Sequence, residues 1–138
     1  MKKAVVVGGG SGIGLAIAKT LMDKKYKVII VNKGEPDPTV IGDYYNYDYI
    51  YTDLNYFDRD LFIELSKDPS VDTLMITAGF GRAASFEYLH TSEIEALMRV
   101  NATAGIEVIR CFYDRIKSAE SFNCGVMASI SGLMSSPL

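Results

Sequence analysis

Apolar residues along this chain follow two alternating patterns: short continuous runs, and positions spaced three or four residues apart. Runs rich in β-branched residues indicate buried strands, and the wider spacing indicates helices. The runs predict strands at residues 3–7, 26–31, 71–77 and 124–130, with a further strand that ends near Asp53. The spacing predicts helices at residues 13–24, 57–66 and 92–117, the last interrupted near Asn101. Ser92 and Glu95 have the spacing of a capping box that starts this last helix.

The order of these elements predicts the fold class. Strands alternate with helices, and a second strand that arrives after a single helix indicates parallel crossover units. The sequence therefore predicts an α/β fold in one domain over residues 1–138, a Rossmann-type doubly wound parallel sheet with strand order 3-2-1-4-5. Ligands of such sheets bind beyond the carboxyl ends of the strands, where the winding reverses between strands 1 and 4. We therefore expect the functional residues at strand ends.

A tyrosine-rich tract at residues 44–51 precedes Asp53 and alternates aromatic with polar residues over its later part. This alternation predicts a half-buried edge strand with aromatic pairs. Stacking of an adenine or nucleic-acid base on the rings is the alternative, which the lack of accompanying basic residues disfavours.

Composition narrows the classes of partner. The 138 residues, 49% of them hydrophobic, are enough for one globular domain with its own core. The 14 basic and 17 acidic residues leave a net charge of -3 without a basic run, which favours neither nucleic acid nor a membrane surface. Cys111 and Cys124 are too few and too far apart for a disulfide framework or a zinc site, so we interpret both as packing residues. The start lacks a signal-peptide pattern, which makes the cytoplasm the expected compartment.

A glycine-rich turn follows the first strand and opens the first helix, with the sequence Gly8-Gly9-Gly10-Ser11-Gly12-Ile13-Gly14. Glycine lets the backbone come close to a ligand, and a helix start presents free N–H groups and the positive end of its dipole. The turn therefore predicts a diphosphate site; a turn that serves only strand-to-helix packing is the alternative. Ile13 stands where a G-x-G-x-x-G fingerprint starting at Gly8 requires glycine, and Leu15 stands where the phosphate loop of nucleotide hydrolases requires lysine.

The glycines at 8, 12 and 14 have the three-then-one spacing of the short-chain dehydrogenase/reductase family. Asp53-Leu54 and Thr77-Ala78-Gly79 follow the third and fourth strands in the order of that family, with Thr77 in place of its asparagine. The sequence therefore resembles the amino-terminal part of a short-chain dehydrogenase/reductase. The resemblance implies NAD or NADP as cofactor, with Asp53 accepting from the adenine amino group and the following motif lining the cleft. Taken alone, Asp53 could instead cap the turn after its strand.

The end of the second strand bears on the choice between NAD and NADP. An acidic residue there would accept from the ribose 2′-OH but repel a 2′-phosphate. Asn32 is neutral and Lys33 is cationic, so we expect NADP as the preferred cofactor, with both residues near the 2′-phosphate. A solvated Lys33 without such a role is the alternative.

The resemblance also implies catalytic positions. Asn101 matches the helix asparagine whose backbone holds a proton-relay water in the family. Ser129, in a Ser-x-x-Gly pattern, matches the serine whose hydroxyl binds the substrate carbonyl or alcohol, with Ser131 as the reserve candidate. His90 is expected to be a loop or cap residue, and no second ligand beside it suggests a metal.

The family pattern continues with Tyr-x-x-x-Lys, the general acid/base and the lysine that lowers its pKa, about a dozen residues beyond the serine. The chain stops at Leu138, and no tyrosine and lysine four residues apart occur earlier in a suitable context. We therefore expect a truncated member that binds the cofactor but does not catalyse efficiently by itself. The parent would be an NAD(P)-dependent oxidoreductase that transfers hydride between nicotinamide and a small carbonyl or alcohol substrate, with oligomers inferred only by analogy. A non-catalytic dinucleotide-binding sensor or interaction module is the alternative.

Overall fold

Helices cover both faces of a five-stranded parallel sheet in the computed structural model, which describes residues 1–81, 84–129 and 132–134. The strands are β1 (Lys3–Val7), β2 (Lys27–Asn32), β3 (Tyr47–Tyr51), β4 (Val71–Ile76) and β5 (Asn123–Val126). The helices are α1 (Gly12–Asp23), α2 (Pro38–Ile41), α3 (Arg59–Ser66), α4 (Thr91–Met98) and α5 (Ala104–Ser118). A 3-10 turn at Phe86–Tyr88 precedes α4, and a π-helical segment at Arg99–Thr103 joins α4 to α5.

The strand order is β3-β2-β1-β4-β5, with every neighbouring pair parallel, which confirms the predicted fold class. β1 lies in the centre, and its residues from Ala4 to Val7 are at most 1% exposed. A central parallel strand is covered on both faces, which explains why β1 is an uninterrupted apolar run.

Each face of the sheet has its own core. On one face α3 and α5 pack against the sheet through Phe62, Val108 and Phe112, all fully buried. On the other face α1 packs through Leu15 and Ala18 against β1 and β2. The two cores hold the strands in one register, so the carboxyl ends of β1 to β4 and the residues that follow them lie along one edge.

Two predicted boundaries are wrong for local reasons. α4 does not begin with a capping box at Ser92: His90 is the N-cap, and its carbonyl accepts from the N–H groups of Glu93 and Ile94 at 3.0 and 3.1 Å, so the first turn starts earlier. β5 ends at Val126, short of residue 130, because Val126 already pairs with Ile76, the last residue of β4. The interruption near Asn101 is confirmed as the π-helical segment.

The tyrosine tract forms β3, an edge strand, as predicted. Tyr47 and Tyr49 pack against the core on the α1 face, whereas Tyr51 is 61% exposed. Of the two cysteines, Cys111 packs against the core as expected, and burial raises the pKa of its thiol. Cys124 is exposed on β5, so its interpretation as a packing residue is wrong. Across the described part of the chain, no helix has the length and apolar character needed to span a membrane.

Candidate functional site

A cleft of about 490 Å³ opens at the carboxyl edge of the sheet. Residues that follow β1, β2, β3 and β4 line it, together with residues of α1, α4 and the π-helical segment. The cleft brings together ten of the twelve residues expected to hold a cofactor: Gly8, Ser11, Ile13, Gly14, Asn32, Lys33, Asp53, Leu54, Ala78 and Gly79. Gly10 and Gly12 belong to the same turn but do not line the cleft.

The glycine turn is closed tightly at Gly8 and Gly14, and neither position admits a side chain. Gly8 has a φ of 88°, and a Cβ there would lie 2.5 Å from the backbone nitrogen of Ala78. A Cβ on Gly14 would collide with the carbonyl oxygen of Gly8 and lie 2.5 Å from Oγ1 of Thr77. The start of α1 therefore sits directly against the end of β1, at the floor of the cleft.

The start of α1 has the features of an anion site. Ser11 is the N-cap in extended conformation, and its hydroxyl makes no capping hydrogen bond to the helix. The first helical bond runs from Leu15 N–H to Ser11 C=O at 3.1 Å, so the earlier N–H groups have no intrahelical acceptor. The first turn contains no acidic residue that would neutralise the positive end of the dipole. Ile13 is 62% exposed on the cleft wall and offers an apolar surface beside these donors.

Thr77 joins the two central strands beneath the cleft. Its N–H donates to the carbonyl of Val7 at 2.8 Å, and its hydroxyl lies 3.0 Å from that oxygen and 3.2 Å from the carbonyl of Gly8. Threonine at this position thus holds β1 to β4 where the family motif has asparagine. The departure from the motif leaves the packing under the glycine turn intact.

Asn32 and Gly10 meet at the other end of the cleft. The Asn32 amide donates from Nδ2 to the carbonyl of Gly34 at 2.8 Å, and a Cβ on Gly10 would collide with this amide. A residue larger than glycine at position 10 would therefore displace the Asn32 side chain. The hydroxyl of Tyr49 donates to the Asn32 carbonyl at 3.3 Å. Burial, with smaller contributions from Glu35 and Tyr51, raises the pKa of the Tyr49 hydroxyl above its ordinary value.

The Asp53 carboxylate caps the turn after its strand and also faces Lys33. Its Oδ1 accepts from the backbone N–H of Asn55 at 2.9 Å, which caps the turn after β3. Its Oδ2 lies 3.6 Å from Nζ of Lys33, whose side chain is 74% exposed. Both residues line the cleft, and they form an exposed ion pair at this end of it.

Asn101 lies in the π-helical segment and holds the chain that follows β4. Its Oδ1 accepts from the N–H of Phe80 at 2.8 Å, and its Nδ2 donates to the Phe80 carbonyl. Single widened turns of this kind often occur at functional sites. The side chain of Asn101 does not itself line the cleft, whereas Phe80 and Val100 beside it do.

The structure places Ser129 differently from the glycine turn. Ser129 is exposed, lies three residues beyond the end of β5, and is not among the residues that line the cleft. Its carbonyl accepts from the N–H of Gly132 at 3.0 Å. Ser131 lies outside the described residues. Met127, which does line the cleft, is the nearest described residue of this segment that reaches it.

Other candidates for catalysis or metal binding are elsewhere. Tyr113 and Lys117 are four residues apart, but both belong to α5, Tyr113 is 51% exposed under the guanidinium of Arg110, and neither lines the cleft. His90 is the N-cap of α4, as expected of a cap residue. Residues 1–81, 84–129 and 132–134 contain no group of three or more potential metal-ligating side chains.

Nine cleft residues are not among the residues expected to hold a cofactor: Val7, Val31, Thr52, Asn55, Thr77, Phe80, Ala96, Val100 and Met127. All except Ala96 lie within three residues of a predicted residue or a strand end. Proximity to a strand end was therefore the available signal, but it does not tell which side chain turns into the cleft.

The family profile described as short chain dehydrogenase matches residues 2–138. The chain belongs to this family. An uncharacterized oxidoreductase of Saccharomyces cerevisiae is 26% identical over 133 residues, which are 94% of this chain and 43% of that protein.

Solved structures of other proteins share this fold. A short chain dehydrogenase from Leptospira borgpetersenii with bound NAD+ has a TM-score of 0.84 at 19% identity, over 99% of this chain and 55% of the other. A Beutenbergia cavernae protein, provisionally named an NAD(P)-dependent gluconate 5-dehydrogenase with bound NADP, has a TM-score of 0.86 at 23% identity, over 98% and 57%. The short chain dehydrogenase described here thus spans about half the length of these relatives.

Proposed function

We propose that the cleft binds a nicotinamide dinucleotide and that residues 1–138 are the cofactor-binding domain of an oxidoreductase. The observation that carries this proposal is the contact between Gly14 and Gly8, which seats the start of α1 at the floor of the cleft. That seating aims the unpaired N–H groups of the first helical turn at the cleft, where a diphosphate would accept from them. The bound dinucleotides of the two similar structures support the same class of ligand.

The residues present fit the parts of a dinucleotide. A diphosphate at the helix start leaves the end of the cleft beyond β2 and β3 for the adenosine, where Asp53 supplies carboxylate oxygens that accept from an exocyclic amino group. Ile13, exposed in the cleft, would offer an apolar surface to the nicotinamide half. When bound, the nicotinamide supplies or accepts a hydride.

For the adenosine end we propose a preference for NADP. Asn32 carries no charge that would repel a 2′-phosphate, and the Lys33 ammonium stands 3.6 Å from Asp53 on a largely exposed side chain. An exposed ion pair contributes little net energy, so a doubly charged phosphate competes well for this ammonium. Lys33 would then exchange Asp53 for the phosphate and leave the carboxylate free to accept from adenine.

The substrate side of the proposal rests on fewer contacts. We propose a small carbonyl or alcohol substrate whose oxygen forms a hydrogen bond with the hydroxyl of Ser129. The backbone of Asn101 would hold a relay water. The paired hydrogen bonds between Asn101 and Phe80 support a fixed position for that backbone. Ser129 must come closer to the cleft than it does here for this role. Membership of the family favours an oxidoreductase over a non-catalytic sensor.

Titration of the protein with NADPH and with NADH, followed by nicotinamide fluorescence, tests the binding proposal. We expect the dissociation constant for NADPH to be roughly tenfold lower than for NADH, because one charge-assisted contact supplies about 1.5 kcal/mol. Lys33→Met keeps an unbranched side chain only one atom shorter, removes the charge, and should bring the two constants together. Absence of binding by either cofactor would refute the dinucleotide site, and tighter binding of NADH would refute only the preference.

A further inference from the structure

The turn that carries Asp53 is held from outside by a residue that does not line the cleft. The turn runs from Asp53 to Tyr56, closed by a hydrogen bond from Tyr56 N–H to Asp53 C=O at 2.9 Å. Its third residue, Asn55, lines the cleft. The Oδ1 of Asn55 accepts a hydrogen bond of 2.7 Å from Nε of Arg99, the first residue of the π-helical segment.

Three polar contacts therefore run in series along the rim of the cleft. Lys33 contacts Asp53, Asp53 accepts from the backbone N–H of Asn55, and Asn55 accepts through its side chain from Arg99. The series begins beyond β2, passes through the turn beyond β3 and ends on the segment between α4 and α5. It connects elements that are not neighbours in sequence.

The π-helical segment holds two loops at once. Arg99 holds the turn beyond β3, and Asn101, two residues later, holds Phe80 beyond β4. The cleft lies between these two loops, since residues of both line it. The distance between the two walls of the cleft therefore depends on the π-helical segment, in which the side chains of Arg99 and Asn101 each hold one wall.

We propose that Arg99 is a positioning residue for the adenosine half of the cofactor, acting through the hydrogen bond from its Nε to Asn55. Resting on the dinucleotide site proposed above, this role adds a residue that touches no ligand but fixes Asp53 and Asn55 where adenine is read. The effect comes from the Nε–H donor and not from the charge of the guanidinium. If the turn is loose, binding of the cofactor must also order the side chains of Asp53 and Asn55, and this ordering lowers the affinity.

Two substitutions of nearly equal length separate the donor from the charge. In Arg99→Gln the side-chain amide nitrogen occupies the place of Nε and donates to Asn55 without a charge. In Arg99→Met a methyl group occupies that place and donates nothing. Glutamine and methionine are both good helix formers, so the π-helical segment should keep its conformation in either variant. Arg110→Met, which removes an arginine from α5 that does not line the cleft, is the matched control.

We expect Arg99→Met to weaken the binding of NADPH and of NADH by the same factor, about fivefold. One hydrogen bond of ordinary net strength contributes this much to affinity. Arg99→Gln and Arg110→Met should stay within about twofold of the wild type. Asn55→Ala should remove the effect of Arg99→Met in the double variant, because the two side chains act as one unit. Thermal unfolding without cofactor provides the structural control.

Each other result decides against the proposal. If Arg99→Gln and Arg99→Met lose equal affinity, or if only the affinity for NADPH falls, Arg99 acts through an electrostatic contact with phosphate. Additive losses with Asn55→Ala would show that the two side chains act separately. An Arg99→Met variant that binds both cofactors like the wild type would show that Arg99 does not position the site. If the wild type binds neither cofactor, the proposed function itself fails, and that outcome is distinct from a wild type that binds while the variants do not differ.

Discussion

Replacement of Gly14 by alanine is the sharpest test of how the glycine turn is built. The added Cβ would collide with the carbonyl oxygen of Gly8, and would lie 2.5 Å from Oγ1 of Thr77 and 2.8 Å from the carbonyl carbon of Gly8. Two of these three atoms are backbone, so rotation of one side chain cannot relieve the overlap. The start of α1 must move away from the end of β1.

The size of the effect follows from this geometry. Overpacking of a well-packed interior costs about 1–3 kcal/mol, and a clash with backbone belongs near the upper end. A domain of this size has a free energy of unfolding of roughly 5–15 kcal/mol, so the variant should still fold. A shifted helix start also misplaces the N–H donors for the diphosphate, and losing one charge-assisted hydrogen bond weakens binding by at least about tenfold.

Urea unfolding and nicotinamide fluorescence measure the two effects on the same protein. Gly34→Ala is the matched control, because a Cβ on Gly34 meets nothing within 4 Å. We expect the control to unfold and to bind NADPH like the wild type. Gly14→Ala with wild-type stability and wild-type affinity would refute the argument that close packing fixes this glycine. An equal loss in Gly34→Ala would show that the assay reports any change near the cleft.

Three further predictions concern stability. Phe62→Ala should lower the free energy of unfolding by about 3–5 kcal/mol because Phe62 is fully buried, whereas Phe86→Ala, at a ring 82% exposed, should change it by less than about 0.5 kcal/mol. Thr77→Val should cost about 1 kcal/mol by removing the hydroxyl between β1 and β4; no loss would assign that tie to the backbone alone. The Lys3 ammonium, followed by the N–H of Ser70, holds the pKa of Asp68 below its ordinary value of 3.8. Its ionised form therefore stabilises the fold above that value, and the stability is lost as the pH falls through the lowered pKa. The unfolding free energy of Asp68→Asn should accordingly lie below that of the wild type at pH 7 and approach it in acid, and a constant difference would contradict this.

Several features of the site could be predicted because they depend on local chemistry. The glycines of the turn, Asp53 and Lys33 are each marked by residue type and by their place after a strand. Parallel strands bring their carboxyl ends to one edge, so a correct strand order was enough to gather them. Ten of the predicted residues do line one cleft.

Other features depended on contacts between distant segments. Arg99 and Asn55 are 44 residues apart, and nothing in either local sequence indicates their hydrogen bond. The sequence placed the start of this helix at Ser92 because the earlier first turn is closed by the His90 carbonyl and not by a side chain. The early end of β5 depends on where β4 stops, which is a property of the pair.

The sequence by itself determined the class of fold and the turn that could hold a diphosphate, because hydrophobic period and glycine placement act over a few residues. Only the tertiary structure decided why Gly10 is needed, that Lys33 is paired with Asp53, and that the π-helical segment holds both walls of the cleft. Those facts are distances between side chains brought together by the packing of helices on the sheet, and no local pattern encodes such distances.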